Sequence, residues 1–275
     1  MPDGAKDGII FGAPPPRSGD IESVTRALHV LQVIASCNDG GIRFSDLCKA
    51  ANLSNATAHR LLQTMIHEGF VEQCSSTRLY NLGFRFLTLG AAAANRFNMR
   101  DLARASLQRL AKDTGDTVFL CVPSYYDSVV VDRIEGSYPI KALAATVGTR
   151  RPLGVGSGAL ALLAFMSDER RPQIIQRNAD RKDAYPQLDP TLLRAAIEDA
   201  RAKGYAYLDG IILKGMSSVS GVVRGPKGDP LASISVAATS DRLSAHRRAM
   251  IVEEIRREAR RIENSLGNGA AMPVA

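Results

Sequence analysis

Asn55, Thr57, His59, Arg60, Gln63, Thr64 and His67 share one stretch with Ala58, Leu61, Leu62, Met65 and Ile66, whose apolar side chains recur at helical spacing. A helix built on that period turns the polar set away from the core. Amide, hydroxyl, imidazole and guanidinium groups on one exposed face donate to phosphates and to base edges, the chemistry of a helix laid in a DNA major groove. An ordinary solvated helix shows the same face, so the neighbouring elements have to decide.

A second stretch, Gly154-Val155-Gly156-Ser157-Gly158-Ala159, fits the G-x-G-x-x-A fingerprint of a dinucleotide site and opens a helix. It makes an NAD-type dinucleotide-binding oxidoreductase the alternative function. That fingerprint needs a buried strand directly before it and an acid-terminated strand after it. Gly148 to Leu153, with Arg150, Arg151 and Pro152, is a poor buried strand, and no apolar strand ending in an acid follows at the required distance. The same residues also read as a tight turn feeding a buried helix, or as backbone N–H groups at a helix start that attract a carboxylate.

Other catalytic patterns fail. Ser157 is not in a G-x-S-x-G elbow, because Val155 and Ala159 hold the glycine positions. Of His29, His59, His67 and His246, two lie eight apart on one helix and none belongs to H-E-x-x-H. Cys37, Cys48, Cys74 and Cys121 show no C-x-x-C pairing. No catalytic residue, metal or cofactor is expected, and the chain is read as a non-enzyme.

The elements that must position these groups are legible in order. Val24, Ala27, Leu28, Leu31, Ile34 and Ala35 predict a first helix with Ser23 as N-cap; Phe44, Leu47, Cys48 and Ala51 a short second one; and Asn52-Leu53-Ser54 a tight turn before the third. Gly69 ends that helix, and Phe70 to Cys74 with Leu79 to Leu82 flank Ser75-Ser76-Thr77-Arg78 as a hairpin whose tip carries Arg78. Three helices and a trailing hairpin are the parts of a winged helix-turn-helix. Phe84 to Phe97, with Gly90 and four alanines, predict a linking helix able to approach its twin in a dimer.

Beyond Met99 the pattern becomes mixed. Strands are expected at Thr117 to Val122, Ser128 to Ile134, Ile140 to Ala145, Tyr205 to Leu208, Ser217 to Val223 and Leu231 to Ala238. Helices are expected from Leu102, from Ala159 to Met166, between Asp189-Pro190 and Gly204, and from Ser244 to Gly267. The fold class is α+β with a mixed, mainly antiparallel sheet. The domains read as a disordered lead at 1–19, a winged helix-turn-helix DNA-binding head at 20–83, a linker helix at 84–98, a mixed sheet-and-helix domain at 99–267, and a flexible tail at 268–275.

Ser23-Val24-x-Arg26-Ala27-Leu28, Ser54-x-x-Thr57-x-x-Arg60-Leu61-Leu62-x-Thr64, Gly69-Phe70-Val71 and Tyr80-Asn81-Leu82-Gly83 resemble the DNA-binding domain of the IclR family of bacterial transcriptional regulators. The likeness continues through Pro152-Leu153, Leu162-Leu163-Ala164, Lys203-Gly204-Tyr205-Ala206 and Ile234-Ser235-Val236 to Arg242. It implies a GAF-like effector domain and assembly as a homodimer or dimer of dimers. It also implies a double-stranded operator contacted by Arg26, Ser54, Asn55, Thr57, His59, Arg60, Thr64 and Arg78. A small-molecule effector would meet Gly154, Val155, Gly156 and Ser157 as a helix-entry wall, with Asp209, Ser218 and Ser235 as polar lining. Where family members carry acids, a glycine and a cysteine, this chain reads Asp209-Gly210-Ile211-Ile212-Leu213-Lys214-Gly215-Met216-Ser217-Ser218. The more apolar run suits an aromatic or other hydrophobic carboxylic acid, hence a regulator of catabolic genes.

Composition agrees. The 275 residues are 45% hydrophobic and carry a net charge of +7, enough for a buried core and a mild bias toward an anionic partner. The uncharged run from Pro152 to Met166 is too short and too rich in glycine for a membrane span, which needs about 20 apolar residues. No membrane partner is expected, and the expected location is cytoplasmic.

Overall fold

Val30, Val33 and Ile34 lie on one side of a helix, and their burial against Ile42, Leu47, Leu62, Met65, Val71 and Tyr80 closes a small N-terminal core. The computed structural model describes residues 21–37, 40–94, 99–142 and 145–267. It divides into two units, 1–96 and 97–275. The expected lead at 1–19 and tail at 268–275 lie outside the described residues, as do residues 95–98 of the expected linker.

The first unit comprises α1 (Glu22–Ser36), α2 (Phe44–Ala50), α3 (Asn55–His67), the strands β1 (Val71–Gln73) and β2 (Tyr80–Leu82), and α4 (Arg85–Ala94). Ser23 is not the cap of α1. The helix starts at Glu22, because the N–H groups of Val24 and Thr25 already bond to the carbonyl of Ile21 at 3.0 and 3.1 Å. Ser54 does cap α3, its Oγ accepting from the Thr57 N–H at 3.3 Å. β1 and β2 pair antiparallel with Val71 opposite Leu82 and Gln73 opposite Tyr80, and Arg78 at the wing tip has φ +60°, in the left-handed region.

The second unit comprises α5 (Met99–Thr114), β3 (Thr117–Ser124), β4 (Asp127–Ile134), β5 (Arg150–Pro152), α6 (Ser157–Phe165), α7 (Arg170–Asn178), α8 (Pro190–Lys203), β6 (Ala206–Asp209), β7 (Met216–Arg224), β8 (Pro230–Thr239) and α9 (Ala245–Gly267). The strands form one sheet in the order β5-β4-β3-β8-β7-β6. All its described pairings are antiparallel, so the α+β expectation holds and the allowance for a mixed sheet falls away. The alternation of side chains across the pleat separates two cores. Val118, Leu120, Val219, Val223, Ile234 and Val236 pack with α5 and α9, while Phe119, Cys121 and Val130 pack with α6 and α8.

The expected strand at Ile140 to Ala145 is absent among its described residues. Its place beside β4 is taken: Val130 N–H bonds to the Thr149 carbonyl at 2.9 Å, and the Val130 carbonyl accepts from Gly148 N–H at 2.8 Å. The chain then continues into β5, where Ser128 faces Arg151. α7 falls in residues 167–188, a stretch to which periodicity assigned no element, and its Pro172 sits in the first turn, where a missing N–H costs nothing. Asp189, Pro190 and Gly204 punctuate α8 as expected, with Asp189 accepting from Thr191 and Leu192 and Gly204 at φ +76°.

Candidate functional site

Two places gather the residues that chemistry singles out, one in each unit. On α3, Ala58, Leu62 and Met65 are buried, which leaves Asn55, His59, Arg60, Gln63 and Thr64 exposed and Thr57 half-buried. Ser54 and Thr57 spend part of their capacity on the helix itself, their hydroxyls 2.9 Å apart at the cap, and Thr64 Oγ1 donates to the Arg60 carbonyl at 3.1 Å. The Arg60 side chain makes no ion pair or hydrogen bond among the described residues. Arg26 lies on α1, paired with Glu22. Of the expected DNA-contacting set, His59 and Arg78 come together in one cleft, whose lining also includes Arg43 and Gln63. Arg43 carries no sequence signal, being a lone arginine ahead of a short helix.

The second place is a cavity of about 100 Å³ in the other unit. Of the residues the resemblance suggests for an effector, Val155, Gly156, Ser157, Ser218 and Ser235 line it. Gly154 and Asp209 do not. Gly154 has φ +106°, and a Cβ there would stand 2.8 Å from Leu193 Cδ1, so this glycine serves the packing of α8 against the loop. Asp209 is exposed and accepts from the hydroxyls of Ser217 and Ser240, which hold its carboxyl below the usual carboxylate range.

Behind the polar wall the hydroxyls of Ser157 and Ser235 are joined through the fully buried Ser220. Ser220 Oγ lies 2.7 Å from Ser157 Oγ and 2.7 Å from Ser235 Oγ, donating to one and accepting from the other. Ser218, Ser220 and Ser235 share the sheet face toward α6 because strand register places Ser220 opposite Ser235 and alternates the intervening residues.

Arg151 is the residue missed. It lines the cavity, and its Nη1 stands 3.7 Å from where a Cβ on Gly156 would be, beside the first turn of α6. Among the described lining residues it is the one charged side chain. Burial pulls its pKa down from the usual guanidinium range, opposed by Tyr185 and Cys121. Burial likewise pushes the Cys121 thiol up to about 12, which leaves it protonated and inert. A guanidinium, the open N–H groups of a helix start and two hydroxyls suit a carboxylate, with an apolar wall of Phe119, Val130, Ile212 and Met216 for its body.

The same geometry rules out the dinucleotide reading. A Rossmann fingerprint joins a central parallel strand to its helix. Here the glycines follow β5, a three-residue strand at the edge of an antiparallel sheet.

Comparison with known proteins decides the family. Residues 23–75 match the profile described as the IclR helix-turn-helix domain, and residues 91–264 that of the bacterial transcriptional regulator IclR C-terminal. The chain belongs to the IclR family of bacterial transcriptional regulators. The transcriptional repressor IclR of Escherichia coli is 26% identical over 235 residues, spanning 84% of this chain and 85% of that one. The HTH-type transcriptional repressor AllR of Escherichia coli is 26% identical over 248 residues, 90% of each. An IclR homolog from Microbacterium hydrocarbonoxydans, solved with 4-hydroxybenzoate, shares the fold at TM-score 0.74 and 23% identity, covering 90% of this chain and 100% of that one. The IclR regulator of Alicyclobacillus acidocaldarius does so at TM-score 0.75 and 20% identity, with the same coverage. IclR-family members are DNA-binding regulators and not enzymes, and this chain is one of them. Among the described residues no helix is long and apolar enough to cross a membrane.

Proposed function

We propose that this IclR-family regulator binds its operator through α3 and the wing, and that a small monocarboxylic acid with a compact apolar body modulates that binding from the cavity under α6. The observation that carries the reading is Arg151 beside Gly156 at the start of α6, in a cavity otherwise lined by hydroxyls and apolar groups. An apolar cavity of about 150 Å³ takes one benzene ring. A space of about 100 Å³ is smaller than that, which caps the apolar body at one small ring or a short chain. That 4-hydroxybenzoate accompanies a structural neighbour supports an aromatic acid here. The genes controlled would then be those that consume such an acid, and the site of action the cytoplasm, where the DNA is.

The same reading makes the protein a homodimer or dimer of dimers. Ile21 at the N-cap and Val24 and Leu28 on α1 form an i, i+3, i+7 stripe that is more than half exposed, and Phe84 and Leu87 are similarly open. Apolar patches of this kind mark pairing surfaces, and two-fold pairing matches two operator half-sites. Thermal unfolding with benzoate, 4-hydroxybenzoate, a short aliphatic acid and a neutral amide of each tests the effector. Acids should stabilise the protein, by about 2.7 kcal/mol at a hundred times Kd, and amides should not. Stabilisation by amides alone would refute the assignment.

A further inference from the structure

The cleft between α3 and the wing, about 660 Å³ in volume, presents Arg43, His59, Gln63, Gln73, Thr77 and Arg78. No carboxylate is among its described lining residues. Arg43 and Arg78 are both exposed, and neither guanidinium makes an ion pair or hydrogen bond among the described residues. Two cations on one concave wall without a counter-charge repel each other, and an anion seated between them removes that cost.

Their placement is fixed by the backbone. Ile42 N–H donates to the Tyr80 carbonyl at 3.0 Å and Tyr80 N–H to the Ile42 carbonyl at 2.9 Å, an antiparallel bridge that joins the start of α2 to β2. Arg43 follows that bridge by one residue and Arg78 precedes it by two. The approach is so close that a Cβ on Gly41, at φ +73°, would stand 2.9 Å from Leu79 Cβ. Gln73 Nε2 donates to the Arg78 carbonyl at 3.1 Å and steadies the tip. The Phe44 ring packs edge-on against His59 at 6.5 Å and tilted against Tyr80 at 6.4 Å, so the floor of the cleft is held from three elements.

We infer that this cleft seats one sugar-phosphate strand of the DNA, gripped by Arg43 and Arg78 together. The inference rests on the operator reading above. A helix in the major groove and a hairpin beside it must have between them the strand that separates the two grooves. Guanidinium groups match phosphate oxygens with paired N–H donors. Arg43 is therefore a DNA contact, and Arg78 binds backbone phosphate and not a base edge. Both position the protein without reading sequence.

The test uses the full chain in fluorescence anisotropy with two labelled duplexes, one from the region upstream of its own gene and one of random sequence, across a salt series. Arg43→Ala and Arg78→Ala should each weaken both duplexes alike, keep the upstream-to-random ratio within about twofold, and reduce the slope of log K against log salt by about one per lost phosphate contact. Arg43→Lys should recover most of the slope. A slope unchanged in Arg43→Ala, or a ratio that collapses in it, overturns the clamp. If the wild-type protein fails to prefer the upstream duplex, the operator reading fails, and the slopes on the random duplex still decide the clamp. Melting curves matching wild type exclude misfolding as the cause.

Discussion

A Cβ placed on Gly158 would stand 2.7 Å from Ser235 Oγ, with Ser233 Oγ at 3.0 Å. The first turn of α6 thus lies directly on the serine-lined face of β8, and a methyl added there makes either Ser235 or the helix shift. Gly158→Ala should force the helix off the sheet and cost about 1–3 kcal/mol, as overpacking of a dense interior does. Chemical denaturation measures the loss, and a stability equal to wild type would show that α6 seats differently.

Arg151→Ala removes the guanidinium from the start of α6. Binding of benzoate-type acids should weaken at least tenfold, about 1.4 kcal/mol, while binding to duplex DNA without acid stays within about twofold. Isothermal titration with the acid and anisotropy with the DNA separate the two effects. Undiminished acid binding would place the carboxylate elsewhere.

Arg60 stands exposed on α3, one turn after the Ser54–Thr57 cap. Arg60→Ala should cost about 1–3 kcal/mol of operator binding per protomer and lower the preference over random duplex, without a change in melting temperature. This separates a base reader from the phosphate clamp of Arg43 and Arg78. Equal loss on both duplexes would assign Arg60 to the backbone as well.

Cys74, at the base of the wing tip, has Ser76 Oγ 3.2 Å from its sulfur, and the hydroxyls of Ser76 and Thr77 bring its pKa from 9.0 to about 6. The folded protein favours the thiolate. That contribution to stability is present above pH about 9, and acidification removes it between 9 and about 6. Alkylation of Cys74 by iodoacetamide should accordingly be half-maximal near pH 6, while Cys121, pushed to about 12, stays unmodified until the protein unfolds. Mass spectrometry of labelled peptides at pH 5 to 9 checks this, and equal labelling of the two thiols would contradict it.

Glu258 is buried between Arg109 and Arg261, 2.7 Å from Arg109 Nη2. Burial alone would raise its pKa, yet hydrogen bonds from Arg109 and Ser106 carry it below the usual 4.5. The carboxylate therefore stabilises the α5–α9 packing above pH about 4.5, and that contribution is lost as acid protonates it. Glu258→Gln should flatten the acid limb of the stability curve; an unaltered limb would assign acid sensitivity to other carboxylates.

What the sequence showed was what local chemistry decides. Asp189-Pro190 and Gly204 mark the ends of α8 because a cap acts within one turn, and Ser54 marks the start of α3 for the same reason. Ser218 and Ser235 came from the family resemblance, whereas Ser220, which joins Ser235 to Ser157, emerges only from the paired register of β7 and β8. Arg151 was hidden because its role depends on a turn at Thr146 to Thr149 that folds β5 against β4, a partner some 20 residues earlier in the chain. Gly154 stands outside the cavity lining because it accommodates Leu188 and Leu193, which belong to elements whose docking no period announces. Asp209 stands outside it because it is turned to Ser217 and Ser240, and Ser240 is joined to it only through the sheet.

An acid held at Arg151 should change the affinity of α3 and the wing for the operator, which makes the two sites thermodynamically coupled. Anisotropy of the upstream duplex is recorded with wild-type protein and with Arg151→Ala, each with and without saturating 4-hydroxybenzoate or whichever tested acid stabilises the fold most. The expected result is an apparent DNA affinity that shifts at least fivefold on adding acid to the wild type and stays constant in the variant. An acid that binds and leaves DNA affinity unchanged would show the two sites to be uncoupled, and one that shifts both proteins equally would place the acid away from Arg151.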